Sequence, residues 1–385
     1  MTGGGSGGHV TPLTAVAAEI KALRPDAQIV FVGQRGDRFG DLVADDPHVS
    51  ASHRILAGKF RRYHGEGLKQ LLDVRTLLLN LRDMFYFLLG TLQSLALIRR
   101  IRPDVVFVKG GFVGVPVGLA AAFWRIPYVT HDSDAIPGLA NRIIARWASL
   151  HAVALPAALY KSYPPSKTVT TGVPIASEYA HVTPSARRAF RKQLDLPEQG
   201  KVLLVTGGGQ GARTINNAVT AEAAALLKAF PDLTIVHAAG QKLFAEVDAA
   251  YRALTTPERS RVLATPFARN LYRYSGAADV VLTRASATSI AELAAQGVAT
   301  VVVPSPFLAG GHQLRNAESL EDQHAVKVLQ EHELRLTPTL LLDTVSELLS
   351  NDKERLELGK RLYALANPRA ARDLAMLLLE LKTKR

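Results

Sequence analysis

Val202-Leu203-Leu204-Val205-Thr206-Gly207-Gly208-Gly209-Gln210-Gly211-Ala212-Arg213 decides the fold. An apolar, β-branched run enters a glycine-rich turn, and Ile215–Ala229 behind it repeats apolar residues at helical spacing. Strand, glycine turn and helix in that order open a parallel α/β domain. Glycine removes the Cβ that would keep a phosphate away from backbone N–H groups, and the helix N-terminus adds partial positive charge. The chain itself opens on a second such turn, Gly3-Gly4-Gly5-Ser6-Gly7-Gly8-His9, followed by the helix-like run Thr11–Leu23. Two turns half a chain apart predict two similar α/β domains facing a cleft. That arrangement suits an enzyme handling two phosphorylated substrates.

Working outward, the first half alternates strand and helix signals. Ile29–Val32, Asp104–Val108 and Tyr128–Thr130 read as strands; Val115–Trp124 and Leu139–Trp147 read as helices. The second half repeats the plan. Val202–Thr206, Leu233–His237, Val280–Thr283 and Thr300–Pro304 read as strands, with helices over Ile215–Ala229 and Ser289–Gln296. Both patterns lapse near Gly172–Pro184, which places the domain boundary there. Ala370–Lys382 reads as a last helix packing back on the first domain. A glycine turn of this kind follows a buried strand, yet only Met1 and Thr2 precede the first one. The start therefore reads as truncated, with the first domain's sheet lacking a central strand.

The chain has 385 residues, enough for two α/β cores. Its hydrophobic share of 48% against 21% charged residues excludes a disordered chain. It holds no cysteine, which excludes a disulfide framework and a thiolate metal site. The net charge of +12 favours an anionic partner: nucleic acid, an anionic membrane face or a phosphorylated substrate. Nucleic acid is the poorest fit, because the basic residues are dispersed and no nucleic-acid motif occurs. No basic segment followed by an apolar core opens the chain, so no signal peptide is read there.

Leu68–Ile98 is strongly apolar and is interrupted by Arg82 and Asp83. The uncharged part, Met84–Ile98, is shorter than the roughly 20 residues of a membrane span. Three readings follow: a buried helix pair, a membrane-surface patch and, last, a true membrane span. The membrane-surface reading draws on Lys59, Arg61, Arg62, Lys69, Arg99, Arg100 and Arg102 nearby.

Several segments carry chemistry. His9 closes the first turn, where an imidazole of near-neutral pKa takes a proton from an attacking hydroxyl or caps a helix. Lys109-Gly110-Gly111-Phe112-Val113-Gly114 is a third glycine segment after a strand, again suited to phosphate. Arg284-Ala285-Ser286-Ala287-Thr288-Ser289 follows a strand and suits a helix N-terminus meeting a diphosphate. Glu292, one turn further in, is placed to accept from ribose hydroxyls. Gln313, after Gly310-Gly311-His312, is an amide for sugar hydroxyls. Asp132 and Asp134 do not by themselves make a cation site.

Taken in order, Gly3–Pro12, Gly110–Pro116, His131–Asn141, Gly172–Pro174, Gly207–Arg213, Arg284–Gly297 and His312–Ala317 resemble the MurG family of peptidoglycan glycosyltransferases, in glycosyltransferase family 28. The resemblance spans nearly the whole chain. It implies a GT-B fold of two Rossmann-like domains with parallel sheets. Residues 1–174 are then the acceptor and membrane-associating domain, 175–369 the UDP-sugar domain, and 370–385 a helix returning to the first. It implies inverting transfer of N-acetylglucosamine from its UDP form to the C4 hydroxyl of N-acetylmuramic acid in lipid I, giving lipid II, with no metal and no cofactor. The implied partners are UDP-N-acetylglucosamine, lipid I and the anionic membrane surface, with the enzyme peripheral on the cytoplasmic face.

By the same resemblance His9 is the general base. Ser6, Gly7, Gly8, Asp134, Gly209, Gln210, Ala268, Ala287, Thr288, Ser289, Glu292 and Gln313 bind the donor, Ala268 meeting uracil. Gly110, Gly111, Phe112 and Gly114 bind the acceptor. Leu68–Arg102 is the membrane-docking surface. Three positions depart from the family: Asp134 stands for Asn, Gly209 for Ser, and Val173-Pro174-Ile175-Ala176 lacks an Arg. An ionised Asp accepts hydrogen bonds and donates none.

Competing readings keep part of this. A glycolipid synthase with another lipid acceptor shares the donor loops. A UDP-N-acetylglucosamine 2-epimerase shares the fold and needs further carboxylates, of which no set is visible. A nicotinamide dehydrogenase needs an acidic residue ending its second strand, where this chain has Gly33-Gln34-Arg35. A binding protein without activity has no use for His9.

Overall fold

The structure, a computed structural model, describes residues 1–5, 7–37, 39–58, 74–307, 311–337 and 339–383. The chain divides into two compact units, Met1–Ala176 with Pro368–Arg385, and Ser177–Asn367.

In unit 1 the order is α1 (Gly7–Leu23), β1 (Val30–Gln34), α2 (Phe39–Ala44), β2 (Ala51–Ile55), α3 (Val74–Ile101), β3 (Val106–Val108), α4 (Gly114–Phe123), β4 (Tyr128–Asp132), α5 (Leu139–Ile144), β5 (Leu150–Val153) and β6 (Thr168–Thr170). All pairings are parallel: β1 with β2, and β3-β4-β5-β6 in sequence. The expected gap between the two groups is occupied by the chain's first two residues. Thr2 bridges Val32 on one side and Val108 on the other. Its N–H donates to Phe107 O, Lys109 N–H donates to Thr2 O, and Val32 N–H donates to Met1 O, each at 2.9 Å. The central position is thus held by two residues rather than left open. Side chains alternate across the sheet as the strand period requires. Phe31 and Phe107 face α1 with Val10, Leu13 and Val16, while Val32, Val106 and Val108 face the α4 side. Leu374, Ala375 and Leu378 of the last helix, which joins unit 1, share the α1 core.

Two expectations change in unit 1. The first helix starts at Gly7, four residues before the apolar spacing reveals it, because Gly7 and Gly8 carry no side chain for that spacing to register. The apolar segment forms one helix from Val74 onward, not a buried pair. One of its faces packs on the unit: Asp83, Ser94 and Ile98 are buried, and a Cβ on Gly90 would stand 1.9 Å from Leu56 O. Leu78, Leu81, Phe85, Leu88 and Leu92 are exposed. Their spacing of three and four residues puts them on one stripe. Among the described residues this helix is long and apolar enough over Leu78–Ile101 to cross a membrane, by length and composition. Residues 59–73, with Lys59, Arg61, Arg62 and Lys69, lie outside the described residues.

Unit 2 runs α6 (Pro184–Gln193), β7 (Lys201–Thr206), α7 (Arg213–Ala229), β8 (Leu233–Ala238), α8 (Phe244–Tyr251), α9 (Thr256–Arg259), β9 (Val262–Thr265), α10 (Leu271–Ala277) and β10 (Val280–Thr283). It continues with α11 (Ala287–Gln296), β11 (Ala299–Val302), α12 (His312–Glu321), β12 (Lys327–Val328), α13 (Glu331–Leu336), α14 (Leu340–Ser350) and α15 (Asp352–Ala364). The six strands are parallel in the order β12-β11-β10-β7-β8-β9. This is a doubly wound sheet whose strand order reverses between β7 and β10, and ligands of such sheets bind outside the strand C-termini at that point. The two sheet faces are closed by separate cores, one around Leu203, Ile215 and Leu226 and one around Leu204, Leu293 and Val302.

Candidate functional site

Unit 1 sends two glycine turns from adjacent strand ends. The first leaves Thr2, the second leaves β3, and Thr2 pairs with Val108 at the end of that strand. The turns press on each other. Gly111 has φ +78°, and a Cβ there would stand 2.4 Å from Gly4 O. The Phe112 ring lies over Gly5, and Gly114 opens α4 so close to β3 that a Cβ would meet Val108 at 2.7 Å. Gly7 and Gly8 are the first two residues of α1 and His9 the third. Ser6 lies outside the described residues.

His9 Nδ1 is 3.1 Å from Gly4 O. A carbonyl only accepts, so Nδ1 carries the proton and the lone pair sits on Nε2, the arrangement a general base needs. A Cβ on Gly110 would lie 3.7 Å from His9 Nε2 and 3.8 Å from Asn141 Nδ2. The imidazole edge therefore faces the second glycine turn. Asp37, which the sequence reading passed over, accepts from Gly5 N–H at 2.7 Å and from Phe39 N–H at 3.0 Å. It fixes the first turn from the side of β1; its only signal in sequence is its place after the turn residue Gly36.

Behind the turns lies a buried polar cluster. Asp132 ends β4. Its Oδ1 accepts from Gly138 N–H at 2.8 Å and Asn141 Nδ2 at 3.0 Å, and its Oδ2 accepts from Tyr163 O–H at 2.7 Å. Burial raises its carboxyl above the usual range despite these donors. Lys109, 2% exposed, donates from Nζ to Ser133 Oγ at 2.9 Å. Burial lowers this ammonium to about 8, with the charges of Asp132 and Asp134 opposing the shift. Burial, then the Lys109 charge, holds His131 well below the ordinary histidine value, and its Nε2 donates to Gly172 O at 2.9 Å. Asp134 is half-buried, and its backbone carbonyl accepts from Tyr160 O–H at 2.9 Å.

In unit 2 the anticipated loops also leave neighbouring strand ends, since Thr206 of β7 pairs with Thr283 of β10 at the switch point. Gly207 and Gly211 are demanded by close approach: a Cβ would stand 2.2 Å from Ala212 N and 2.1 Å from Ala239 O respectively. Gly209 and Gln210 are exposed at the tip. On the neighbouring turn, Ser286 caps α11 by accepting from Ser289 N–H at 3.3 Å. Helix geometry leaves the amides of Ala287 and Thr288 without an intrahelical partner, ready for an anion. Asn316 Nδ2 pins this turn by donating to Ala285 O at 3.1 Å, and Arg284 is tied to Val303 O and to the buried Glu331.

Glu292 lies one turn into α11. Burial raises its carboxyl to about 8, while a hydrogen bond from Tyr179 pulls the other way. Gln313 is buried at the start of α12, and its Oε1 accepts from Ser305 N–H at 3.0 Å. That fixes the amide with its NH2 available as a donor to a sugar oxygen. Ala268 is buried in the segment between β9 and α10. The structure thus gathers Gly209, Gln210, Ala287, Thr288, Ser289 and Glu292 around one switch point. In unit 1 it gathers Gly7, Gly8, His9, Gly110, Gly111, Phe112 and Gly114, with Asp134 on the next strand end.

The family 28 glycosyltransferase N-terminal domain model matches residues 1–153, and the family's C-terminal domain model matches residues 202–374. The chain belongs to glycosyltransferase family 28. A curated relative from Symbiobacterium thermophilum is 34% identical over 97% of this transferase and 94% of its own length. One from Bacillus cereus is 33% identical over 97% and 96%. Both are named UDP-N-acetylglucosamine–N-acetylmuramyl-(pentapeptide) pyrophosphoryl-undecaprenol N-acetylglucosamine transferase. The crystal structure of Acinetobacter baumannii MurG superposes with a TM-score of 0.68 at 23% identity, over 99% of this chain and 98% of that one. The transferase has the GT-B fold.

Proposed function

We propose that this transferase moves N-acetylglucosamine from UDP-N-acetylglucosamine to the C4 hydroxyl of N-acetylmuramic acid in lipid I, with inversion and without a metal, yielding lipid II. The reading is carried by His9: a histidine of fixed tautomer, Nε2 toward a second glycine turn, at the strand ends of unit 1. The names of the full-length relatives support the choice of donor and acceptor.

His9 Nε2 takes the proton from the acceptor hydroxyl as its oxygen attacks the anomeric carbon. The bond to the UDP oxygen breaks on the opposite face, which inverts the centre. The diphosphate charge that develops is met by the α7 and α11 N-termini, near Gly209 and Thr288, in place of a cation. Glu292 takes the ribose hydroxyls and Gln313 a sugar hydroxyl. Ser6, Gly7, Gly8 and Asp134 contribute from the first unit, Gly110, Gly111, Phe112 and Gly114 hold the acceptor, and Ala268 meets uracil.

The exposed stripe on α3 supports peripheral attachment at the cytoplasmic face of the membrane. Beside it, Leu95, Arg99, Arg100, Arg102 and Trp124 line a recess suited to anionic headgroups. The deciding experiment is transfer of labelled N-acetylglucosamine to a lipid I analogue, with His9→Ala alongside. Product from the wild type, and turnover lowered far more than donor affinity in His9→Ala, support the reading. UDP binding without product from lipid I moves it to another lipid acceptor; equal loss of turnover and affinity makes His9 a binding residue.

A further inference from the structure

The peptide group that joins Gly4 to Gly5 is bonded at both ends. Its oxygen, Gly4 O, lies 3.1 Å from His9 Nδ1. Its N–H, on Gly5, donates to Asp37 Oδ2 at 2.7 Å. An aspartate therefore reaches the imidazole through one amide plane, in the order carboxylate, N–H, C=O, Nδ1–H. Each partner is also held from elsewhere. Asp37 Oδ1 accepts from Phe39 N–H at 3.0 Å at the start of α2, and Asp37 N–H turns back to Gln34 O at 3.4 Å. Gly4 leaves room for the carboxylate, since a Cβ there would stand 2.8 Å from Asp37 Oδ2. Gly5, at φ +85°, takes the left-handed conformation in which its N–H meets that oxygen. The second turn closes on the same peptide, where a Cβ on Gly111 would stand 2.4 Å from Gly4 O.

Amide resonance couples the two ends of that peptide. A carboxylate on the N–H draws the nitrogen lone pair toward the carbonyl, so the oxygen carries more negative charge and accepts more strongly. Hydrogen bonds in series polarise one another by about 10–30% each, and one to an ionised acceptor is about twice as strong as a neutral one. We propose that Asp37 is the carboxylate partner of His9, acting through the Gly4–Gly5 peptide to hold the proton on Nδ1 and to raise the basicity of Nε2. Asp37 is then a positioning residue for the proton acceptor, and the same series of bonds stabilises the imidazolium formed when His9 takes a proton. The inference rests on the transferase reading above, in which His9 is the base. Other ionisable groups border the two turns. They are Lys109, which donates to Ser133 Oγ, Asp132, held by Gly138, Asn141 and Tyr163, and Asp134 at the end of β4. On the β1 side α2 adds Asp41, paired with Arg54. All of these stay in place when residue 37 alone is changed.

The test compares Asp37→Asn, which keeps a neutral acceptor for Gly5 N–H and removes the charge, with Asp37→Ala, which removes both. The readouts on the full-length protein are steady-state transfer to a lipid I analogue across pH and nitrogen NMR of the imidazoles. The NMR separates the tautomers and follows titration, with His9 assigned from the spectrum of His9→Ala. Asp37→Asn is expected to lower turnover about 10-fold, a part of what a general base supplies. It is also expected to move the His9 titration, and the acidic limb of the rate profile with it, to lower pH, because the charge that favours the imidazolium is gone. Asp37→Ala is expected to lose more, and in a His9→Ala background Asp37→Asn to cost little further. An unmoved His9 titration in Asp37→Asn overturns the relay and leaves Asp37 a prop of the turn, whatever the rate does. A wild-type His9 carrying its proton on Nε2 overturns it as well, and that check needs no variant to fold. A moved titration with unaltered turnover supports the relay and strikes His9 as the base. Absence of transfer by the wild type likewise strikes the functional reading alone, since the tautomer and titration of His9 are still read in the spectrum.

Discussion

Gly111→Ala is a single methyl group aimed at the proposed base through one intermediary. At φ +78° an L-residue costs about 1–2 kcal/mol before any contact is considered. The new Cβ would sit 2.4 Å from Gly4 O, and real Cβ contacts stay beyond 3.0 Å, so that carbonyl must retreat by about 0.6 Å or more. The same carbonyl accepts from His9 Nδ1 at 3.1 Å. A retreat along the line of that bond stretches it past hydrogen-bond range and loosens the hold on the imidazole's tautomer and orientation. Misplacing a catalytic group on this scale costs about 10²-fold in rate. Turnover on a lipid I analogue at saturating substrates is expected to fall about 100-fold, against the 10²–10⁴ carried by a general base as a whole. Thermal unfolding checks that the variant is folded, and UDP affinity is expected to fall far less than turnover, because the loops proposed to hold the diphosphate and the ribose belong to unit 2. In a His9→Ala background the methyl should cost little further, since the group it disturbs is gone. A folded Gly111→Ala enzyme with wild-type turnover refutes the chain from turn to carbonyl to base, and so does a full extra loss in the His9→Ala background.

Glu292→Ala is expected to weaken UDP binding about 10- to 100-fold, the worth of hydrogen bonds to a buried polar group, and calorimetry showing unchanged affinity removes the ribose assignment. Leu81→Glu with Leu88→Glu is expected to lower partitioning onto anionic vesicles more than about 100-fold while leaving thermal stability nearly untouched, because both side chains are exposed; unaltered sedimentation with vesicles sinks the docking stripe. His237 is fully buried, with Nδ1 accepting from Tyr251 O–H at 2.7 Å and Nε2 donating to Asn216 Oδ1 at 3.1 Å, and burial lowers it to about 4. Its folded value lies below the unfolded 6.5, so the unfolded chain binds the extra proton between those values and stability falls as pH drops through that window, by about 3 kcal/mol. Denaturant titrations of wild type and His237→Gln from pH 7 to pH 4 read the effect, and equal slopes in the two proteins contradict it.

The doubly wound plan was legible because its strongest signals are local. Val202–Thr206 and Val280–Thr283 are buried on both faces, so they read as unbroken apolar runs. Ala51–Ile55 and Thr168–Thr170 escaped because they are edge strands with mostly exposed residues, where no periodicity is enforced. The glycine turns were visible as composition; what each glycine is for was not. Gly111 answers to Gly4 and Gly211 to Ala239, contacts between segments far apart in the chain. The polar cluster behind unit 1 was hidden for the same reason. Asp132 reads as half of a poor cation site until Tyr163 and Asn141 arrive from other segments to bond it. Lys109 reads as an ordinary turn lysine until its burial is known.

The two units repeat one architectural device with different chemistry in it. Each sends neighbouring loops from the strand ends where the sheet order reverses, at Thr2 and Val108 in one and at Thr206 and Thr283 in the other. Unit 1 places beside its turns an imidazole of fixed tautomer, a buried ammonium and two aspartates. Unit 2 places beside its turns amide groups at helix starts and the Glu292 carboxyl, which burial pushes up to about 8. The second set is suited to receiving negative charge, because helix-start amides converge on a diphosphate there. The first set is suited to removing a proton. On the proposed reaction the inventories fall on opposite sides of the bond that changes: proton acceptor with the attacking hydroxyl, helix amides with the departing nucleotide. That division gives a concrete expectation for damage. Changes around His9 should act on turnover, changes around Thr288 and Glu292 on nucleotide affinity, and a variant that crosses those categories would show where the division breaks down.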